Sequence, residues 1–303
     1  MRPLDQPGAG MIRAHDVTIG GLRTHYLEAG DASAAPLLLL HGWPEWGHVW
    51  RPVMQRLDQA FHLYAPDFRG FGQSDKTFSA PGADATPERL AHDVLDFMDA
   101  LGVTRAGIVA HDVGSFVAQV LARQAPQRVR ALFFFNCAYP GIGARWVAPD
   151  HLMEVWYQFF HQQAWAAELI GSSRTTCRIY LREFLRHWAY RQDTFDAELD
   201  TWVDNFMLPG NLQGGFNWYV SNHASRMAVI KGTAAMPPPI DLPTRVFWGR
   251  HDPVLKAEWT DRLPAFFSNL ELSIAEDAGH FVHYEMPNEA AEEIRKFFGR
   301  VPA

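Results

Sequence analysis

Asp112 stands where a carboxylate is costly. It closes the run Ile108-Val109-Ala110-His111, which reads as a buried strand. It precedes Val113-Gly114-Ser115-Phe116, where small residues lead into a helical pattern continued by Val117, Val120 and Leu121. A charge between a buried strand and a helix needs compensation, and the unpaired first N–H groups of the helix, at the positive end of its dipole, supply it. Gly114 and Ser115 keep the turn tight, and Gly114 lets another backbone approach closely. A strand–turn–helix elbow of this kind can present a nucleophile; an isolated Asp in such a turn is more often only a helix cap. Further along, His280 follows Ala278-Gly279, and Asp252 lies in Gly249-Arg250-His251-Asp252-Pro253. Taken singly, His280 is one of 14 histidines and Asp252 is a turn former. His111, beside Asp112, is expected to be structural.

The elements that must position these groups alternate between strand and helix. Residues 11–28 alternate apolar and polar in two runs around Gly20-Gly21, the pattern of a hairpin near a sheet edge. Leu37 to Leu40 form a continuous apolar strand of the kind buried on both faces in a parallel sheet, ended by His41-Gly42-Trp43-Pro44. A helix is expected from about His48 to Leu57, then a strand from Phe61 to Ala65. Thr86-Pro87-Glu88 starts a helix with Thr as N-cap and Pro in the first turn; Leu90, Val94, Phe97, Met98 and Leu101 hold its apolar face. Val129 to Phe135, Thr244 to Trp248 and Leu270 to Ile274 read as further strands, and Ala290, Ile294, Phe297 and Phe298 as a last amphipathic helix. Strands alternating with helices imply a mostly parallel, doubly wound α/β sheet covered on both sides.

Between about Ala138 and Pro239 the pattern is helical and rich in aromatics, ending in Met236-Pro237-Pro238-Pro239. The expected organisation is a core in two parts, residues 1–137 and 240–303, with a helical cap of residues 138–239 inserted over the strand ends, where open α/β sheets bind ligands.

Bulk properties exclude several classes. Apolar residues at 48% and charged residues at 20% describe an ordinary globular protein. A net charge of -7 without a basic stripe gives no expectation of nucleic acid. Cys137 and Cys177 lie far apart and near no metal-ligand spacing, so neither disulfides nor zinc is indicated. The start of the chain has no apolar stretch of signal-peptide type, and the longest apolar runs are too short to span a bilayer. A cytoplasmic protein is the expectation.

Five motifs occur in one order: His41-Gly42-Trp43-Pro44, Asp67-Phe68-Arg69-Gly70-Phe71-Gly72-Gln73-Ser74, His111-Asp112-Val113-Gly114-Ser115, Gly249-Arg250-His251-Asp252 and Gly279-His280-Phe281. In them the chain resembles the α/β-hydrolase superfamily over nearly its whole length, and within it the epoxide hydrolases, sisters of the haloalkane and haloacetate dehalogenases. No Gly-x-Ser-x-Gly is present, which argues against an esterase or lipase. The resemblance implies Asp112 as nucleophile, His280 as general base and Asp252 as the acid that orients it. The chemistry agrees. A carboxylate needs no base to attack a saturated carbon, while hydrolysis of the resulting ester needs water activated by a group titrating near neutral pH. The acid would fix the imidazole tautomer and stabilise its charged form. Backbone N–H groups of Trp43 and Val113 are the implied oxyanion hole, and Pro44 is expected to be cis.

The leaving group separates the sister activities. An epoxide oxygen leaves as an alkoxide and needs a donor. Epoxide hydrolases use two cap tyrosines, which map to Tyr157 in Trp156-Tyr157-Gln158-Phe159-Phe160 and Tyr219 in Phe216-Asn217-Trp218-Tyr219. Dehalogenases carry instead a Trp after the nucleophile with an Asn at the position of Trp43, or arginines just after the Asp that grip a carboxylate. Here those positions hold Val113, Trp43 and Phe116. Many epoxide hydrolases have an aromatic residue where this chain has Val113.

The expectation is a cofactor-free, metal-free hydrolase acting on ether bonds, taking an epoxide and water to a vicinal diol through an ester on Asp112. Trp156, Phe159, Phe160 and Trp218 are expected to line an apolar substrate pocket. Two alternatives stay open: a haloacid or haloalkane dehalogenase with the same Asp, and a non-catalytic ligand-binding homologue. Neither nucleic acid nor membrane is expected as a partner, and the oligomeric state is open between monomer and homodimer.

Overall fold

The computed structural model describes residues 11–76 and 85–302; the first ten residues, read above for a leader, lie outside the described residues. Eight strands form one sheet: β1 (Arg13–Ile19), β2 (Leu22–Ala29), β3 (Pro36–Leu40), β4 (His62–Pro66), β5 (Ala106–His111), β6 (Val129–Phe135), β7 (Thr244–Gly249) and β8 (Leu270–Ala275). Their order is β1-β2-β4-β3-β5-β6-β7-β8. β1 and β2 make the antiparallel edge hairpin, β2 pairs antiparallel with β4, and the remaining pairs are parallel. The α/β class and the mostly parallel sheet are as expected.

Around the sheet lie α1 (Arg51–Leu57), α2 (Pro87–Ala100), α3 (Val113–Gln124) and, at the chain's end, the short Val282–Glu285 and long Pro287–Phe298 helices. The first half of the helix expected from His48 is 3-10, Gly47–Trp50, and the α-helix begins only at Arg51. Pro52 is the reason: it has no N–H for an i→i−4 bond and is tolerated only in the first turn. α2 starts as expected, with Arg89 N–H donating to Thr86 Oγ1 at 3.2 Å. Leu37 to Leu40 and the three phenylalanines Phe133 to Phe135 are wholly inaccessible to solvent, as strands sandwiched between helical layers must be.

The chain between β6 and β7 is helical, with α4 (Trp156–Phe160), α5 (Ala166–Gly171), α6 (Arg174–Trp188), α7 (Leu199–Phe206), α8 (Asn211–Ser221) and α9 (His223–Ile230). This helical block lies over the carboxyl ends of the strands. Its closest seat is Gly214 of α8 on Gly70, where a Cβ on Gly214 would come within 1.8 Å of the Gly70 carbonyl oxygen. Only glycine permits that approach. Strand order reverses between β3 and β5, the crevice in which such sheets bind ligands, and both strands end at residues singled out above: Trp43 after β3 and Asp112 after β5.

Candidate active site

Asp112 sits on the elbow between β5 and α3 with φ 47 and ψ −113. A left-handed φ on a residue with a side chain is strained and turns the carboxylate out of the sheet. The turn is held by close packing: a Cβ on Gly114 would meet the Leu40 carbonyl oxygen at 2.4 Å, so the close approach expected of that glycine is present. Trp43 N–H donates to Asp112 Oδ1 at 3.1 Å, and Val113 opens the helix directly after it. The Trp43–Pro44 peptide is cis.

His280 follows β8 and Asp252 follows β7, so both reach the same sheet end. His280 Nδ1 lies 2.7 Å from Asp252 Oδ2, with both side chains closed to solvent. Asp252 Oδ1 accepts the N–H groups of Val254 and Leu255 at 2.8 and 2.9 Å. With Nδ1 taken, Nε2 is the free atom of the ring, buried and without a partner. Burial disfavours the charged ring. The charge and hydrogen bond of Asp252, aided by Asp112 and Glu45, outweigh that and raise the His280 pKa to about 9. The helical block seals this corner: Trp188 C=O accepts His280 N–H at 2.8 Å, and the Trp188 ring meets the imidazole edge-on at 5.0 Å.

Two residues that the sequence did not single out complete the frame. Asn136, at the end of β6 with φ 43, donates through Nδ2 to Asp252 Oδ2 at 2.5 Å and accepts Gly249 N–H through Oδ1 at 2.9 Å. Its signal was a polar residue directly after a triple-phenylalanine strand, the same pattern as Asp112 after β5. Glu45 is fully buried; its Oε2 accepts Gly42 N–H at 2.7 Å and lies 2.9 Å from His111 Nδ1. His111 Nε2 is 2.9 Å from the His280 carbonyl oxygen, so His111 is structural, as expected. Burial opposes the Glu45 charge, but His111 and His283 hold its carboxyl well below the usual range. Glu45, His111 and His283 bring donor atoms together as a metal site would; the bonds just given commit most of those atoms to bracing the Trp43 loop against the His280 loop.

Tyr157 on α4 and Tyr219 on α8 meet above Asp112, rings 5.5 Å apart and nearly perpendicular. Trp43 stacks on Tyr157 at 5.4 Å and receives Tyr219 edge-on. Gln158 Nε2 donates to the Tyr157 hydroxyl at 3.0 Å, so the phenolic oxygen accepts in that bond and its proton is not spent on Gln158. Burial raises both phenol pKa values, with Asp112 adding to the effect, so both remain protonated donors. Other tyrosines of the block are committed elsewhere: Tyr139 donates to the Trp259 carbonyl and Tyr180 lies against His161.

A cavity of about 660 Å³ opens between sheet and helical block, lined by Asp112, Val113, Tyr157, Trp218 and Tyr219 among others. Of the four expected pocket aromatics, Trp218 is on its wall and Trp156, Phe159 and Phe160 are not. Trp156 is 42% exposed and Phe159 40%, and Phe160 packs on Trp165 and Tyr180. Successive helical residues point about 100° apart, so a short helix that turns Tyr157 inward turns these neighbours away. Among the described residues no helix is long and apolar enough to cross a membrane.

The chain matches the family model described as alpha/beta hydrolase fold over residues 35–287. It is 31% identical to the soluble epoxide hydrolase of Corynebacterium sp. (strain C12), across 95% of this chain and 97% of that protein. The solved structure of the ligand-free epoxide hydrolase CorEH superposes with a TM-score of 0.81 at 28% identity, covering 95% of this chain and 99% of the other. Cfl2 of Burkholderia cenocepacia superposes with a TM-score of 0.83 at 27% identity, covering 97% and 98%.

Proposed function

Because the chain belongs to the α/β-hydrolase fold family and groups there with epoxide hydrolases, we propose that it hydrolyses epoxides to vicinal diols at the Asp112 cavity. An Asp112 oxygen attacks one oxirane carbon, the carbon–oxygen bond breaks, and the departing oxygen takes a proton from the Tyr157–Tyr219 pair. The product of this step is an ester between Asp112 and the alkyl group. His280 Nε2 then removes a proton from water as it adds to the ester carbonyl carbon. The negative oxygen so formed is stabilised by the N–H groups of Trp43 and Val113. As the intermediate collapses, the carboxyl proton passes to the departing alkoxide oxygen, which releases the diol and restores the carboxylate, now carrying the oxygen of the water. The proton held by His280 returns to the phenolate, so both groups end as they began. The helical block acts as a cap that supplies the two phenols and excludes bulk water from His280.

One observation carries the reading over a dehalogenase: the groups that share the cavity with Asp112 are two protonated phenols packed on Trp43, Tyr157 face to face and Tyr219 edge-on, suited to an alkoxide leaving group. A panel of styrene oxide, cyclohexene oxide, fluoroacetate and bromoalkanes, assayed together for diol and halide, tests it. Diol from the epoxides is the expected result; halide release without diol would replace this reading with a dehalogenase.

A further inference from the structure

Two arginines line the cavity with guanidinium nitrogens that have no acceptor. Arg226, on α9, has its Nη2 closed to solvent and unpartnered. Its contacts are aromatic, with Cζ 5.4 Å from the Trp146 ring centroid and 5.8 Å from that of Phe159. Arg123, near the end of α3, donates through Nε to the Pro238 carbonyl at 2.9 Å and through Nη1 to the Gln119 carbonyl at 3.3 Å. Its Nη2 is likewise closed off and unpartnered. Among the described residues neither arginine forms an ion pair, and the acids on the cavity wall are Asp112 and the exposed Glu88.

A guanidinium nitrogen closed off from water without an acceptor is unfavourable. Burial pulls the proton affinity of both arginines down. Arg226 shares the cavity wall with Tyr157 and Tyr219, the phenols at its reacting end. The rest of the wall is largely apolar, with Val113, Phe116, Val120, Trp218 and Val229. An apolar cavity with an unpartnered nitrogen on each of two guanidinium groups suits a ligand with a hydrocarbon body and an anionic group that can accept from them.

We infer that the preferred substrates are epoxides carrying a carboxylate, which Arg226 binds, with Arg123 as a second anchor. This rests on the reading of the cavity as an epoxide site and names its substrate class. The arginines come from the last helix of the cap and the far end of α3, not from the positions just after Asp112 where haloacetate dehalogenases carry theirs.

The test uses a matched pair, styrene oxide bearing a para-carboxylate and the methyl ester of that acid. The intact enzyme is expected to favour the acid in kcat/KM by about tenfold or more, mainly through KM, since a bidentate ion pair adds binding energy on that scale. Arg226→Gln should erase the preference and Arg226→Lys retain part of it, because Lys keeps the charge without the fork. No preference in the parent enzyme, or equal loss on both substrates in Arg226→Gln, overturns the inference; equal loss would mean that Arg226 acts through the phenols. If neither compound is hydrolysed, the epoxide reading fails on its own, and para-ethylbenzoate against para-ethylbenzyl alcohol in thermal unfolding decides the anion site. A rise in Tm given by the acid alone and lost in Arg226→Gln upholds it. Equal shifts from acid and alcohol, or none from either, reject it.

Discussion

His280 Nδ1 rests 2.7 Å from Asp252 Oδ2, and neither side chain is open to solvent. Asp252 is itself immobilised, with Asn136 on one oxygen and two backbone N–H groups on the other. The ring therefore has one orientation available, with Nε2 free. An imidazole set this way is built to take a proton from water at one site, and the cost of burying both groups is offset by the hydrogen bonds that surround them.

Replacing His280 with Gln separates the two chemical steps. Alkylation of Asp112 needs no base, whereas ester hydrolysis does, so protein soaked in epoxide should gain the mass of one substrate on Asp112. Turnover should fall by about 10²–10⁴. An unmodified Asp112, or an adduct on another residue, would refute the mechanism. In the parent enzyme, a single turnover in water enriched in heavy oxygen should place the label in Asp112 and not in the diol.

The raised His280 pKa gives a pH dependence with a definite sign. A ring titrating at about 9 holds its proton in the resting enzyme, and Asp112 is among the groups that retain it. Alkylation turns Asp112 into a neutral ester and removes one of the charges that retain the proton, so the base is released when it is needed. Ester hydrolysis should therefore rise with pH around a midpoint below about 9, and Asp112→Asn should lower the His280 midpoint seen by NMR. An unchanged midpoint in that variant counts against the coupling. For stability the folded value lies above the ordinary 6.5. The stabilisation from the His280–Asp252 pair is thus fully present below about pH 6.5 and lost as pH rises through about 9. Urea titrations of Asp252→Asn should lack that slope.

The sequence was most legible where local pattern and site coincide. An apolar strand ending in Asp112 places the carboxylate at the carboxyl end of the sheet, and the parallel alternation of strands and helices brings the ends of β5, β7 and β8 to that same end. Glu45 and Asn136 were not legible because their roles exist only between strands: Asn136 matters through Asp252, 116 residues away, and Glu45 through His111, 66 away. The aromatic wall was misread where adjacency in sequence stood in for direction. Trp156 and Phe159 flank an inward tyrosine on one short helix and so point out. The two arginines of the cavity carry no local signal, since an exposed and an unpaired guanidinium look alike in a sequence.

Tyr157 and Tyr219 should act on alkylation alone. Burial keeps both phenols protonated well past the ordinary tyrosine range, so neither should give an alkaline decline below about pH 10. Phe at either position should slow single-turnover alkylation by about 10²-fold, with the double variant slower still, while hydrolysis of a preformed ester changes far less. An unchanged alkylation rate in Tyr219→Phe would remove that residue from the site.

The seat of α8 on Gly70 ties the helical block to the loop after β4. Gly214 meets the Gly70 carbonyl so closely that no Cβ fits, and the obstacle is backbone, which cannot swing aside as a side chain can. Gly70 itself is held at φ 86, in a loop braced by Asp67, whose carboxylate accepts Gly47 N–H and Gln73 N–H, each at 2.7 Å. The helix must therefore be the part that moves. Gly214→Val should lift α8 at a cost on the order of 1–3 kcal/mol, lowering Tm and carrying Tyr219 away from Asp112. Because His280 and Asp252 are carried by the loops after β8 and β7 and not by α8, the displacement should slow alkylation more than ester hydrolysis. Stopped-flow measurement of the two steps in Gly214→Val decides the point. Equal slowing would mean that the glycine contact only fastens the helical block, and selective loss of alkylation that it sets the distance between phenol and carboxylate.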